Sequence, residues 1–193
     1  MKKTLIILTA IITLFIVPQQ ETKAQAFDKG YKLIDFGIGV PYYSYVSVPP
    51  VYINMEVGIH PYIGVGITGG FYSWRTYWLY TSYRYYENDL VAGGFLTFHA
   101  SELIKQLDLD LGDLLNDLDL YAKAGFALDF RSYNDYYWNS DKQDYDEVVR
   151  TRIYPDFNFN FGGRYYLSDK LAVFAEVGGG FYSYTQFGIT FKL

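Results

Sequence analysis

The feature that most constrains this chain is a strict alternation of apolar and polar residues. It is clearest at Phe157-Asn158-Phe159-Asn160-Phe161, where the three phenylalanines would share one face of a β-strand. The same period of two recurs along the chain and favours strands over membrane helices. It predicts eight strands, at about residues 31–40, 51–60, 63–73, 85–98, 120–131, 156–167, 171–180 and 185–193. Most of them reach the roughly 9–11 residues that an outer-membrane strand needs.

The two faces of these strands differ in chemistry. One face is apolar along its length, whereas the opposite face carries four acidic and four basic residues: Asp35, Glu56, Asp129, Glu176, Lys123, Arg131, Arg164 and Lys192. Side chains fill the interior of an eight-stranded barrel, and charges placed there must be paired. We therefore expect an antiparallel up-and-down transmembrane barrel with lipid outside and these eight residues in an interior ion-pair network. The alternative is an inverted, soluble barrel with an apolar interior.

The first 26 residues predict export. Met1-Lys2-Lys3 precedes an apolar run from Leu5 to Val17, and Ala24-Gln25-Ala26 offers a cleavage site between small residues. The run is shorter than the roughly 20 apolar residues of a spanning helix. We expect a signal peptide at 1–26 and a barrel domain at 27–193. An uncleaved N-terminal anchor is the alternative.

The connections between the predicted strands fall into two sets. An exported N-terminus places 60–62, 99–119 and 168–170 in the periplasm and 41–50, 74–84, 132–152 and 181–184 at the cell surface. Aromatic side chains concentrate in the surface set, and five of them are candidates for surface interaction: Trp74, Trp78, Tyr136, Tyr137 and Trp138. Leucines spaced by three and four in 99–119 predict one short periplasmic helix at 101–118. That helix would lie on the inner leaflet, under the barrel mouth or at a dimer contact.

Composition and spacing exclude several chemistries. The chain has no cysteine, which removes disulfides, zinc–thiolate sites, iron–sulfur clusters and thiol nucleophiles. A pI near 4.9 argues against nucleic acid as a partner. The two histidines, His60 and His99, map to periplasmic strand ends, so no Ser–His pair can form at the outer surface. We expect no catalytic residues, no cofactor and no metal.

Three ligand-like patterns have simpler explanations. Gly64–Gly69 matches G-x-G-x-x-G, but a strand continues after it, so its glycines are expected to let interior side chains approach the backbone. The aspartates between 108 and 119 fail the EF-hand spacing and favour a solvated helix face. The acidic residues of 132–152 predict either a solvated loop or a site for a divalent cation that bridges lipopolysaccharide phosphates.

The C-terminus supplies a family resemblance. Gln186-x-Gly188-x-x-Phe191-x-Leu193 resembles the terminal signal by which outer-membrane barrels are recognised for assembly, although members of that family more often end in Phe or Trp. With the signal peptide and eight strands, the chain resembles the small OmpA/OmpX-like barrels of Gram-negative bacteria, without a peptidoglycan-binding domain. The resemblance implies the outer membrane as location. It implies the barrel-assembly machinery, outer-membrane lipid and lipopolysaccharide as partners.

The function expected from these features is non-enzymatic. The barrel would have a structural or surface-interaction role through its Tyr- and Trp-rich loops, toward a surface ligand that the sequence does not identify. The alternatives are a narrow pore or a soluble, lipocalin-like carrier of an apolar ligand.

Overall fold

The computed structural model describes residues 27–41, 46–77, 84–106, 117–180 and 183–193. The predicted signal peptide lies outside these residues. Within them the chain forms one six-residue helix, α1 (Ser101–Gln106), and eight strands: β1 (Lys32–Pro41), β2 (Val46–His60), β3 (Ile63–Tyr77), β4 (Arg84–His99), β5 (Leu118–Asn139), β6 (Asp144–Ser168), β7 (Leu171–Gly179) and β8 (Ser183–Lys192).

The eight strands form a closed antiparallel barrel. Each strand pairs with the next along the chain, and β1 closes the barrel against β8 through the register Phe36↔Ile189. The prediction of an eight-stranded up-and-down barrel is therefore confirmed.

The alternation predicted from the sequence sets the two faces of the barrel wall. Phe157, Phe159 and Phe161 point outward, with 72%, 51% and 56% of their surfaces exposed. All eight strands contribute to this exposed apolar belt, which includes Phe36, Ile38, Val51, Met55, Ile67, Phe71, Leu90, Leu96, Phe126, Leu128, Val173, Val177, Phe187 and Ile189. A soluble carrier barrel would need the opposite arrangement, with its apolar side chains inside.

The two longest strands extend well beyond the predicted boundaries. Residues 132–152, expected as a loop, continue β5 and β6, which pair from Leu118↔Tyr165 to Asn139↔Asp144 with no register shift. The loop prediction is wrong, and the turn is confined to 140–143. β4 pairs with β5 only as far as Tyr133. Residues 134–149 therefore form a two-stranded ribbon, a name kept below.

The barrel has two unlike ends. Two short turns, α1 and the segment 27–31 lie at one end, called here the helix end; the ribbon rises from the opposite end, the ribbon end. No helix of the predicted length over 101–118 is described, because α1 has six residues and 107–116 lie outside the described residues. None of the described helices is long and apolar enough to cross a membrane.

The glycines of the G-x-G-x-x-G pattern lie within strand β3. Two of them allow interior side chains to approach the backbone, as the sequence predicts. A Cβ on Gly64 would meet the Glu56 side chain, and one on Gly66 would meet the Phe95 ring and the Met55 carbonyl oxygen. At Gly69 the nearest atoms lie 3.8 Å away, which is ordinary contact. A strand that continues beyond the pattern to Tyr77 does not match the strand-to-helix context of a dinucleotide site.

This contrast predicts unequal effects of two alanine substitutions in one strand. Gly66→Ala should destabilise the barrel by about 1–3 kcal/mol, because overpacking displaces the Phe95 ring and the neighbouring backbone. Gly69→Ala should change stability by less than about 0.5 kcal/mol. Urea titration of the refolded barrels measures both values. Equal stability of the two variants would contradict the close interior approach at Gly66.

Candidate functional site

The barrel interior brings together most of the charged residues that the sequence assigns to it. Asp35, Glu56, Lys123, Asp129, Arg164 and Glu176 are all buried within the wall. Arg131 is partly exposed at the ribbon end. Lys192 lies at the helix end, where its ammonium is 4.5 Å from the Tyr31 ring centroid and 4.8 Å from that of Tyr166. The buried members form three clusters along the barrel axis.

The cluster nearest the helix end is centred on Arg164, which is fully buried. Its guanidinium donates to Asp35 at 3.1 Å, to Glu56 at 2.8 Å and to Asp119 at 3.2 Å. The guanidinium carbon also lies 4.3 Å from the Tyr121 ring centroid. Only arginine offers enough donors in a fixed fork to serve three carboxylates at once. These contacts tie β6 to β1 and β2 across the lumen and to its neighbour β5 within the wall.

His99 completes this helix-end network. Its Nδ1 lies 2.8 Å from Asp119 and its Nε2 lies 2.8 Å from Glu56, so a carboxylate occupies each side of the ring. Phe27 stacks on the imidazole with ring centroids 3.3 Å apart and is itself buried. The segment 27–31 is held against β2 by backbone hydrogen bonds between Gly30, Tyr31 and Gly58. Phe27 therefore covers the network from the helix end.

Two further clusters lie closer to the ribbon end. In the middle of the barrel the Lys123 ammonium and the Tyr121 hydroxyl both donate to Glu176, at 2.6 and 2.8 Å. Near the rim, Arg131 donates to Asp89 and Asp129 at 3.0 Å each and lies 3.6 Å from Glu87. This ribbon-end network places three carboxylates around one guanidinium.

Several interior residues were missed from the sequence. Asp119 was interpreted as part of a solvated helix face, yet it is the second residue of β5 and is fully buried against Arg164 and His99, so that interpretation is wrong at this position. His99, Glu87 and Asp89 also belong to the interior, and the signal for them is parity. They alternate along β4 with the outward residues Leu90, Leu96 and Phe98.

A cleft of about 560 Å³ opens at the ribbon end, where β6 rises above the end of β7. Asp129, Arg131, Tyr154, Asp156 and Gly180 are among its lining residues. The Arg131 guanidinium lies 4.8 Å from the Tyr154 ring centroid. The cleft therefore combines carboxylates with an aromatic ring and is contiguous with the ribbon-end network.

The outer face of the wall changes character at the base of the ribbon. Tyr86 donates its hydroxyl to Glu147 at 3.0 Å, and Asn134 donates to the same carboxylate at 3.2 Å. Asn134 also accepts from the Tyr86 backbone at 2.8 Å and is buried. These polar contacts replace the apolar belt, so the belt ends below this level.

Exposed ion pairs lie on the ribbon and at its base. Arg150, at the base, lies 2.8 Å from Asp135 across the two strands, with about half of each side chain exposed. Lys142 and Asn139, in and beside the turn, donate to Asp146 at 2.8 and 2.6 Å. Pairs of this kind contribute little to stability. In the described residues, no group of three or more histidine, aspartate and glutamate side chains is arranged to hold a metal ion.

The aromatic interaction candidates are distributed around the ribbon end. The Trp74 and Tyr85 rings are in contact, with centroids 5.1 Å apart. The Tyr136 hydroxyl accepts a hydrogen bond from the Asn134 amide at 2.7 Å. Tyr137 and Trp138 lie within β5, in the ribbon rather than in a loop, and Trp78 lies outside the described residues. Four residues form the terminal assembly pattern. Gln186 and Gly188 face inward on β8, whereas Phe191 and Leu193 face outward.

Comparisons with known proteins find likeness only among solved structures. No protein-family model and no curated protein matches the chain. The chain is similar to the N-terminal β-barrel domain of Pseudomonas aeruginosa OprF, with 14% identity and a TM-score of 0.47 over 86% of this chain and 98% of that one. It is similar to a de novo designed transmembrane β-barrel, with 18% identity and a TM-score of 0.45 over 88% and 100%.

A third similar structure is Ail, the attachment invasion locus protein of Yersinia pestis, in complex with the heparin analogue sucrose octasulfate. The identity is 8% and the TM-score 0.41, over 85% of this chain and 96% of that one. The resemblance to small outer-membrane β-barrels stated from the sequence recurs here as a likeness of barrel architecture. The strand order and register described above are this chain's own.

Proposed function

We propose that this protein is a non-enzymatic outer-membrane β-barrel with a plugged lumen, and that it presents its ribbon and rim for contacts at the cell surface. The proposal rests on the contrast between the outer and inner faces of the barrel wall. An exposed apolar belt formed by all eight strands surrounds buried ion networks. A chain that exposes such a belt to water would aggregate, whereas in a bilayer the belt contacts the lipid hydrocarbon.

The direction of insertion follows from the proposed export. A cleaved signal peptide leaves residue 27 in the periplasm, so the helix end would face the periplasm and the ribbon end the cell surface. Short turns on the periplasmic side and longer extensions on the outer side are usual in bacterial outer-membrane barrels. The helix-end location of Phe27 in the structure agrees with this orientation.

The lumen favours a structural role over transport. Arg164, His99, Glu56 and Asp119 meet in one fully buried group, and Lys123 binds Glu176 in the next layer. Side chains that cross the barrel in this way occupy the path that a pore would need. Catalysis is disfavoured by the same geometry, because both nitrogens of His99 are engaged by carboxylates.

Membrane fractionation tests the location. After expression of the full chain in a Gram-negative host, we expect the protein in the outer-membrane fraction after a carbonate wash, because the belt holds it in lipid. Unheated protein should migrate faster on a denaturing gel than boiled protein. Recovery of folded protein from the soluble periplasmic fraction would overturn the proposal and favour the carrier alternative.

Conductance in planar bilayers separates a plugged barrel from a pore. We expect insertion without discrete open-channel steps, since the helix-end network spans the lumen. The matched control is Arg164→Met, which removes the centre of that network. Steady channel openings by the native chain would overturn the plugged lumen while leaving the membrane location intact.

A further inference from the structure

We propose that the exposed edge of β6 is a self-pairing strand, which binds the same edge of a second copy of this protein in antiparallel orientation. The β6 edge is defined as residues 144–158. The inference rests on the surface-interaction role proposed above and names its partner as another copy of this chain.

The β6 edge has a strand on one side only. β5 pairs with it throughout, whereas β7 pairs with β6 only from Phe159 onward, and no other described strand lies along it. Most of its side chains are exposed, including Tyr145, Val149 and Ile153. A long strand edge of this kind is a template for pairing with another chain. Pro155, which lacks a backbone N–H, limits such pairing to the part nearer the ribbon tip.

The charge order along the edge is complementary to itself. Residues 144–152 read Asp-Tyr-Asp-Glu-Val-Val-Arg-Thr-Arg, with acids in the first half and bases in the second. An antiparallel pairing centred on Val148 places Asp144 of one copy opposite Arg152 of the other, and Asp146 opposite Arg150. The twofold symmetry doubles this to four opposite-charge pairs.

The register centred on Val148 also forms more opposite-charge pairs than the registers centred one residue to either side. A centre at Glu147 would form only the Asp144–Arg150 pairs and would bring Lys142 opposite Arg152. A centre at Val149 would form only the Asp146–Arg152 pairs. Each shift therefore loses half of the opposite-charge contacts, so the sequence specifies one register.

Within one chain, Arg152 has a like-charged neighbour that a second copy could offset. Arg152 lies in register with Arg131 on β5, and its guanidinium carbon is 5.9 Å from the Tyr133 ring centroid. An aspartate on its other side would offset this like-charge neighbour. Asp146 already pairs with Lys142 in the turn, and Arg150 already pairs with Asp135 on β5; a paired strand adds contacts on the opposite side of β6.

The barrel leaves space for the partner's tip. In this register the turn at 140–143 of one copy comes level with residues 153–156 of the other. The ribbon-end cleft lies at that level and includes Tyr154, Asp156 and Asp129 among its lining residues. Lys142 would bring a positive charge to these carboxylates.

The geometry also sets how the two barrels are arranged. β5 and β6 pair without a register shift from the wall to the turn, so the ribbon continues the wall. The twofold axis of an antiparallel strand pair is perpendicular to the sheet, and here it lies across the barrel axis. The two barrels then point in opposite directions, so the pairing joins copies on facing membrane surfaces rather than neighbours in one membrane.

Cysteine cross-linking tests the register, since the chain has no cysteine of its own. The full mature chain carrying Val148→Cys is folded in detergent, and its barrel is checked by the heat-dependent gel shift. Mild oxidation with copper phenanthroline should give a disulfide-linked dimer, because directly opposed residues lie about 4.5–5.5 Å apart between Cα atoms.

Thr151→Cys is the matched control on the same edge. Two copies of this residue would be six positions apart in the proposed register, roughly 20 Å, which is beyond disulfide reach. Cross-linking at Val148→Cys alone supports the proposal. No cross-link at Val148→Cys, or equal yields at both positions, overturns it. A normal gel shift in either case leaves the proposed outer-membrane role unaffected.

Charge exchange tests the proposed pairs. One variant carries Asp144→Arg and Asp146→Arg, and the other carries Arg150→Asp and Arg152→Asp. Each alone should self-associate about tenfold more weakly or worse than the native chain, whereas an equal mixture should form heterodimers by sedimentation. A mixture that stays monomeric would overturn the proposal.

Vesicle tethering tests the facing arrangement. Phosphatidylcholine vesicles that carry the native barrel should cluster with one another. Vesicles with either charge variant should cluster only when the two populations are mixed. Dimers in detergent with no tethering of vesicles would overturn the facing geometry.

Discussion

Arg164→Met should destabilise the barrel by about 3–5 kcal/mol. The substitution keeps most of the side-chain volume but removes the cation that contacts three buried carboxylates, Asp35, Glu56 and Asp119. Breaking a buried ion pair on one side leaves the other charge uncompensated, which is much more costly than losing a surface pair. His99 cannot replace the guanidinium at Asp35, because its two ring nitrogens already contact Glu56 and Asp119. Urea unfolding of barrels refolded in lipid vesicles measures the change.

Two controls separate charge from volume and location. Arg164→Lys keeps the charge but cannot supply a planar fork to three acceptors, so its stability should fall between the native chain and Arg164→Met. Arg75→Met, at an exposed position near the ribbon end of β3, should cost less than about 0.5 kcal/mol. Similar stabilities for Arg164→Met and Arg75→Met would mean that the helix-end network does not hold the barrel together.

The strand wall could be predicted from the sequence because its two faces meet different surroundings. Outward-facing and lumen-facing positions alternate, so Phe157, Phe159 and Phe161 separate cleanly from Asn158 and Asn160. The same pattern assigned Arg164 and Glu56 to the lumen. Local alternation is therefore sufficient to define which face a residue occupies.

The ribbon could not be predicted in the same way, because neither of its faces is uniformly apolar. Beyond Arg131 the sequence reads Ser-Tyr-Asn-Asp, with polar or amphipathic residues on both faces, and the two-faced signal disappears. The strands nevertheless continue, since Tyr, Val, Thr and Ile are favourable strand residues and the register of the wall is simply extended. A search for alternation alone therefore ends each strand where the exposed apolar belt ends.

The partners within the lumen were also beyond local reasoning. Glu56 and His99 are 43 residues apart, and Asp35 and Arg164 are 129 apart. Alternation fixes the face of each residue but not its height in the barrel, which depends on the strand registers. Asp119 was missed for a related reason: it lies at the junction between the leucine-rich connection and β5, where helical and strand spacings overlap.

Phe159→Arg should destabilise the barrel in lipid by about 2–4 kcal/mol, because it places a charge near the middle of the apolar belt. Phe159 lies halfway along the outward-facing series of β6 that runs from Ile153 to Leu167, and half of its surface is exposed. In a bilayer that exposed half meets hydrocarbon, and a guanidinium there must reach toward the headgroups or draw in water. Folding free energies in phosphatidylcholine vesicles measure the effect.

Val149→Arg is the matched control for this prediction. Val149 has the same outward parity on the same strand but lies in the ribbon, at the level of Asn134, above the belt. The cost there should be about 0–1 kcal/mol, since the free-energy cost of a lipid-facing charge falls toward the interface. A soluble barrel would remove this difference, because an arginine on a water-exposed face has little cost to stability at either position. A Phe159→Arg variant that folds as well as the Val149→Arg variant would therefore contradict the lipid contact of the belt.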